Sequence, residues 1–167
     1  MTDWRKQDTQ ELIAELDLSN LSLGEVQRQE ILQFAREAIR DYLTLGTINP
    51  RDINIPILAQ KADVFVTLWS SLAGNKQPGT KTNEKLRGCV GRIQSNTPLY
   101  VGIQESAVSA ATKDPRFPPV TLLELESIRI EIAVLSAFRA INSLQEIEIG
   151  RHGLMLTGLG KRGLLLP

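Results

Sequence analysis

A single cysteine in 167 residues excludes an intramolecular disulfide. The polar opening Met1-Thr2-Asp3-Trp4-Arg5-Lys6 lacks the basic-then-apolar order of a secretory signal. Together they predict a protein of the reducing cytoplasm. Long apolar runs are missing too, and none approaches the roughly 18 residues that a membrane span requires. No sign of charge prevails, because nineteen basic and nineteen acidic residues cancel. That balance argues against general affinity for a phosphate backbone, and no interleaving of aromatic with basic residues offers stacking platforms for single strands. Nucleic acid is therefore not an expected partner. Neither Gly-x-Gly-x-x-Gly after a strand nor a lysine-containing P-loop occurs, which argues against nucleotide hydrolysis and dinucleotide redox chemistry. One cysteine and one histidine without a dense carboxylate cluster cannot assemble a zinc-type site, so neither a metal nor a cofactor is expected.

What is present reads as one domain with two lobes, long enough to bury a core. Residues 1–22 read as an added arm or short helix, with apolar positions at Leu12, Ile13 and Leu16, ahead of a domain over 23–167. Ser22-Leu23-Gly24-Glu25 has the form of a capping box, with Leu21 and Val26 spaced for a hydrophobic staple. Ile31, Ala35, Ala38, Tyr42 and Leu45 then recur at helical spacing up to Gly46. β-Branched and aromatic residues over Asp63–Trp69 predict a strand. Gly74 to Lys85 reads as a loop leading to a second strand around Cys89. Thr97-Pro98 opens a helix carrying Leu99, Ile103, Ala107 and Ala110, and Asp114-Pro115 ends it. Ile128, Ile130, Ile132 and Val134 alternate with Arg129, Glu131, Ala133 and Leu135, a strand by its period of two. Leu154–Leu156 and Leu164–Leu166 flank a glycine-rich turn and predict a hairpin. Mixed helices and strands with short links between consecutive strands give an α+β fold, an antiparallel sheet flanked by helices.

Three features are candidates for chemistry. In Leu86-Arg87-Gly88-Cys89-Val90-Gly91 the lone cysteine sits between two glycines, two residues after an arginine. A regular strand would put Leu86, Gly88 and Val90 on one face and Arg87, Cys89 and Gly91 on the other. A guanidinium beside the thiol favours the thiolate, the nucleophilic form; alternatively, free cysteine serves as a small core hydrophobe. From Gly74 to Arg92 five bases (Lys76, Lys81, Lys85, Arg87, Arg92) face one acid, Glu84, a stretch suited to a small anionic ligand or simply to solvation. In Asp114-Pro115-Arg116-Phe117-Pro118-Pro119 three prolines stiffen the chain. Arg116 is thereby held either for an anionic group or for a local acid such as Asp114, and Phe117 is expected to plug the core. His152, between Gly150 and Gly153, is the one side chain that titrates near neutrality without tuning. It forms a dyad with Cys89 if the fold brings them into hydrogen-bond reach, and is otherwise structural. Arg129 and Glu131 share a strand face and are expected to neutralise each other.

These motifs in this order, Leu86–Gly91, Asp114–Pro119 and Gly150-Arg151-His152-Gly153-Leu154, resemble the AMMECR domain family, with the likeness running from about Gly24 to the end of the chain. The resemblance implies a two-lobed α+β fold. It also implies a setting beside Memo-type and radical S-adenosylmethionine proteins as partners. The family pattern runs on into a tryptophan-containing helical segment where this chain stops at Leu166-Pro167. The reading that follows is a cytoplasmic, thiol-dependent enzyme acting on a small molecule, with Cys89 as nucleophile or thiol contact and His152 moving protons. Arg87 would tune the thiol, and Arg87, Arg116, Gly88 and Gly91 would form the substrate-binding surface. The alternative is a non-catalytic adaptor that binds a partner protein.

Overall fold

The structure, a computed structural model, describes residues 10–15, 23–49, 51, 54–71, 84–93, 96–158 and 160–165. The chain divides into two compact units, one containing residues 1–20 and 134–167 and the other Leu21–Ala133.

The Leu21–Ala133 unit starts with helix α1, Glu25–Leu45. Gln27 accepts a hydrogen bond from the Gly24 N–H (3.1 Å), which satisfies a donor that the first turn leaves free. Ser22 and Leu21, the expected cap and staple residues, lie outside the described residues. Val26, the other half of the staple, is 72% exposed. Gly46 ends α1 at φ 74°, a left-handed conformation that glycine adopts without steric cost. Ile31, Ala35 and Ala38 are buried as their spacing predicts, joined by Phe34 and Ile39, whereas Leu45 is exposed because the last turn overshoots the core.

Strands β2 (Asp63–Ser71) and β3 (Glu84–Arg92) pair antiparallel, and the sheet order is β3-β2-β4, with β4 at Ile128–Leu135. Helix α2 (Leu99–Thr112) packs against β2, β3 and α1, which is why its buried residues run around the whole helix. Gly102, Ser106 and Ala110, four residues apart, give its tight side. A Cβ on Gly102 would come 2.9 Å from Val64, and Ala110 lies against Gly88 of β3. Val64, Val66 and Leu68 are fully buried on β2, with Ile103 and Ala107 supplied by α2. The one-turn helix α3 (Leu122–Leu125) is capped by the Thr121 hydroxyl, which accepts from the Glu124 N–H at 3.2 Å. Arg36 of α1 donates to the carbonyls of Leu125 and Ile128, giving partners to backbone oxygens at the α3–β4 turn.

In the other unit Gln10–Glu15 forms β1 in a four-stranded sheet of order β5-β1-β6-β7, with β5 at Arg139–Ala140, β6 at His152–Gly158 and β7 at Lys161–Leu165. The expected helix or loose arm is a strand at these positions, held between β5 and β6 by antiparallel pairing with both. Residues far apart in sequence supply its partners, and tertiary pairing of this kind overrides a short local pattern. The predicted hairpin is present as β6–β7, pairing Leu154 with Leu165 and Met155 with Leu164. Helices and antiparallel pairs together make the fold α+β, as the sequence predicts.

Candidate functional site

Cys89 sits midway along β3, an edge strand, opposite Thr67 of β2. The two side chains share one face of the sheet, and the Thr67 hydroxyl donates to the Cys89 sulfur at 3.4 Å. Thr67 is only 6% exposed, whereas Cys89 is half-buried. The register slips beside them. Leu68 pairs with Gly88 and Trp69 with Leu86, so Arg87 is the extra residue of a bulge. The slip corrects the face assignment expected from strict alternation. Leu86 joins the Trp69 side of the sheet, while Gly88 stays with Leu68 on the α2 side.

The bulge directs Arg87 to Glu124. Nε and Nη2 of Arg87 both bond the Glu124 carboxylate, the latter at 3.0 Å, and the guanidinium lies 5.9 Å from the Phe117 ring centre. The Arg87 side chain is 12% exposed, and its Nη1 is buried with no hydrogen-bond partner among the described residues. The expected partnership of Arg87 with the thiol is thus replaced by an ion pair with α3.

The stiff Asp114–Pro119 segment closes on the backbone of Cys89. Asp114, 4% exposed, accepts from the Cys89 N–H at 2.9 Å. Arg116 donates to the Cys89 carbonyl at 3.3 Å. Arg116 is itself fixed by Asp114, through Nε at 2.9 Å, Nη2 at 2.7 Å and its backbone N–H at 3.1 Å. The local ion pair expected of Arg116 is formed, and its side chain stays 53% exposed. These bonds, the Arg116 guanidinium first, then the backbone N–H groups of Cys89 and Arg116, hold the Asp114 carboxyl far below the ordinary carboxylate range against the opposing effect of burial. Asp114 reciprocally raises Arg116, and the nearby Cys89 adds a smaller upward push. Phe117 does not plug the core. It is half-buried, with the Arg116 guanidinium 5.5 Å from its centre.

Both glycines of the cysteine motif are close-approach positions. A Cβ on Gly88 would lie 2.2 Å from the Ala110 carbonyl oxygen, and one on Gly91 would lie 2.3 Å from the Phe65 ring. Packing therefore accounts for each of them without a ligand.

His152 begins β6 in the other unit, paired with Glu15. Its Nδ1 accepts from the Glu148 N–H at 3.0 Å, so the neutral ring carries its proton on Nε2. Its backbone N–H donates to the Glu148 carbonyl at 3.0 Å, and Gly150 takes φ 86°, in the left-handed region that glycine adopts freely. The structure thus brings Cys89, Arg116, Gly88 and Gly91 together in one unit with Arg87 alongside, and gives His152 contacts of its own in the other.

Of the basic stretch, Lys76 and Lys81 lie outside the described residues, Lys85 is exposed on β3, and Arg92 pairs with Glu105 at 2.7 Å. Arg129 and Glu131 meet at 3.2 Å as expected. Arg129 also grips Glu84 with two bonds of 2.8 Å and lies 5.6 Å from the centre of the Trp69 ring. Among the described residues no three His, Cys, Asp or Glu side chains converge as a metal site, and no helix is long and apolar enough to cross a membrane.

Comparison with known proteins places these residues in company. A model of the AMMECR1 family matches residues 32–167. Protein MJ0810 of Methanocaldococcus jannaschii is 37% identical over 142 residues, covering 81% of this chain and 65% of its own length. Protein MK0488 of Methanopyrus kandleri is 38% identical over 144 residues, covering 82% and 65%. This chain therefore spans just under two thirds of those two relatives. The crystal structure of an uncharacterized protein, PH0010, from Pyrococcus horikoshii matches with a TM-score of 0.74 and 33% identity over 86% of this chain and 70% of that one.

Proposed function

This chain belongs to the AMMECR1 family, and from that membership we propose that it is a cytoplasmic protein whose Cys89 thiol contacts or attacks a small molecule, in concert with Memo-type and radical S-adenosylmethionine partners. One observation carries the reading: the N–H and C=O of Cys89 are both held by the Asp114–Arg116 pair, while its half-buried sulfur takes a hydrogen bond from Thr67. A reactive group fixed from its backbone while its side chain stays within reach is the arrangement that positioning for chemistry calls for. Arg116, 53% exposed along its side chain, supplies positive charge beside the thiol for an anionic or carbonyl oxygen.

A pH profile of thiol alkylation on the native protein tests the reading. It expects labelling with a midpoint below about 8.5, the value of a free cysteine. Slow labelling with a midpoint at or above that value would remove Cys89 as a nucleophile.

The adaptor reading is favoured by one feature, the exposed apolar pair Leu122 and Leu123 beside Pro118 and Pro119. Cys89→Ser separates the two: retained partner capture with lost turnover supports the enzyme, and full function of the variant supports the adaptor.

A further inference from the structure

We propose that Thr67 is the positioning residue of the Cys89 thiol: its hydroxyl donates to the sulfur and fixes its orientation on the face of the sheet that Thr67 and Cys89 share. The inference rests on the reading of Cys89 given above and extends it to a residue on a different strand.

Three observations meet at Thr67. Its neighbours by alternation on β2, Val66 and Leu68, are fully buried on the α2 side, so the hydroxyl projects from the opposite face, where Cys89 lies directly across the ladder. Thr67 is itself buried, and a buried hydroxyl without a partner is costly, so the 3.4 Å bond to sulfur satisfies it as well as the thiol. Finally, the Cys89 backbone is fixed on the far side by Asp114 and Arg116, which leaves the sulfur little freedom to move off Thr67. Among the charged groups, the Arg116 guanidinium interacts with Cys89 and is itself paired with Asp114. The Thr67 hydroxyl is the side-chain group that hydrogen-bonds the sulfur directly. A donor to the charged form favours that form. Threonine also suits the place sterically, because its β-branch fits a buried strand and restricts its rotamers.

The experiment is iodoacetamide labelling of the whole chain across pH for wild type, Thr67→Val and Thr67→Ser, with Cys89 as the only thiol. Thr67→Val keeps shape and β-branching and removes the donor, while Thr67→Ser keeps the donor. Losing the hydrogen bond is expected to raise the alkylation midpoint of Thr67→Val by about one unit. At neutral pH that cuts the thiolate fraction about tenfold, and the more basic thiolate recovers about threefold in nucleophilicity, leaving a rate about threefold lower. Thr67→Ser is expected to stay within about twofold of wild type. Should Thr67→Val fail to fold by circular dichroism, Thr67→Ala carries the same expectation. A Thr67→Val profile that overlays wild type, or a Thr67→Ser profile shifted as far as Thr67→Val, overturns the inference while leaving a reactive Cys89 intact. A wild-type thiol that does not label in the native state overturns the reading of Cys89 and this inference with it.

Discussion

The Asp114 carboxylate accepts the backbone N–H of Cys89 at 2.9 Å and simultaneously takes two side-chain bonds from Arg116, whose guanidinium reaches back to the Cys89 carbonyl. One acid and one base, two residues apart, thereby occupy both polar groups of a residue that lies 25 positions upstream of the acid.

Removing Asp114 should cost more than removing an ordinary surface acid. In Asp114→Ala the Cys89 and Arg116 N–H groups lose their acceptor in a buried setting, for an expected loss of about 2–3 kcal/mol. Urea denaturation should show a lower midpoint with an unchanged m-value. Asp114→Asn retains one acceptor oxygen and should cost less.

Acid should act through the same carboxyl. Because Arg116 and the two N–H groups depress it in the folded state, the unfolded chain binds the proton more readily, and stability rises with pH where the two states differ in protonation. Its stabilising contribution is therefore complete above the ordinary aspartate range, near pH 4, and is lost as pH falls below it. The gap in unfolding free energy between wild type and Asp114→Asn should be constant from pH 7 to about 5 and should shrink towards pH 2. A gap independent of pH would show that the Asp114 ion pair is not formed in solution.

Gly88→Ala and Gly91→Ala should part company in a double-mutant test. The new methyl at position 88 meets the Ala110 carbonyl oxygen, which is backbone. Destabilisation by about 2–3 kcal/mol or more is therefore expected, and Ala110→Gly should not relieve it. At position 91 the methyl meets the Phe65 ring. Phe65→Ala should recover part of that loss, because the obstructing atoms leave with the side chain.

Arg87→Lys is not a mild change at a site where two guanidinium nitrogens grip Glu124. A loss of about 2 kcal/mol is expected. A cycle with Glu124→Gln should give a coupling energy of at least about 1 kcal/mol. Independent, additive effects would dissolve the ion pair as an explanation of the bulge.

Long, strongly periodic segments were legible in the amino-acid order. The alternation from Ile128 to Leu135 is β4, the apolar stripe from Ile31 to Ala38 is the buried face of α1, and the glycine-rich turn before Leu164 is the β6–β7 hairpin. The nature of Gln10–Glu15 was not legible, because two strands more than a hundred residues away make it a strand. At the candidate site, Cys89, Arg87 and Arg116 stood out by rarity and by the stiffness of their surroundings. Thr67 and Glu124 did not, since an ordinary threonine or glutamate acquires meaning only from register and tertiary placement. The bulge at Arg87 has no local signature beyond Gly88 and turns the face of Leu86 against simple alternation. Arg36, which bonds two carbonyls some ninety residues away, looks from the sequence like any polar position on an amphipathic helix.

The clamp on Cys89 also bears on how copies of this protein meet. β3 is an outer strand, and the N–H and C=O that point away from β2 at its midpoint are the groups a strand from another molecule would need in order to extend the sheet. With Asp114 and Arg116 seated there, that template is interrupted at its centre. Cutting the clamp would free these two groups next to the Arg87 bulge, so the acid and base that hold the Cys89 backbone also occupy the pairing groups at the middle of that edge.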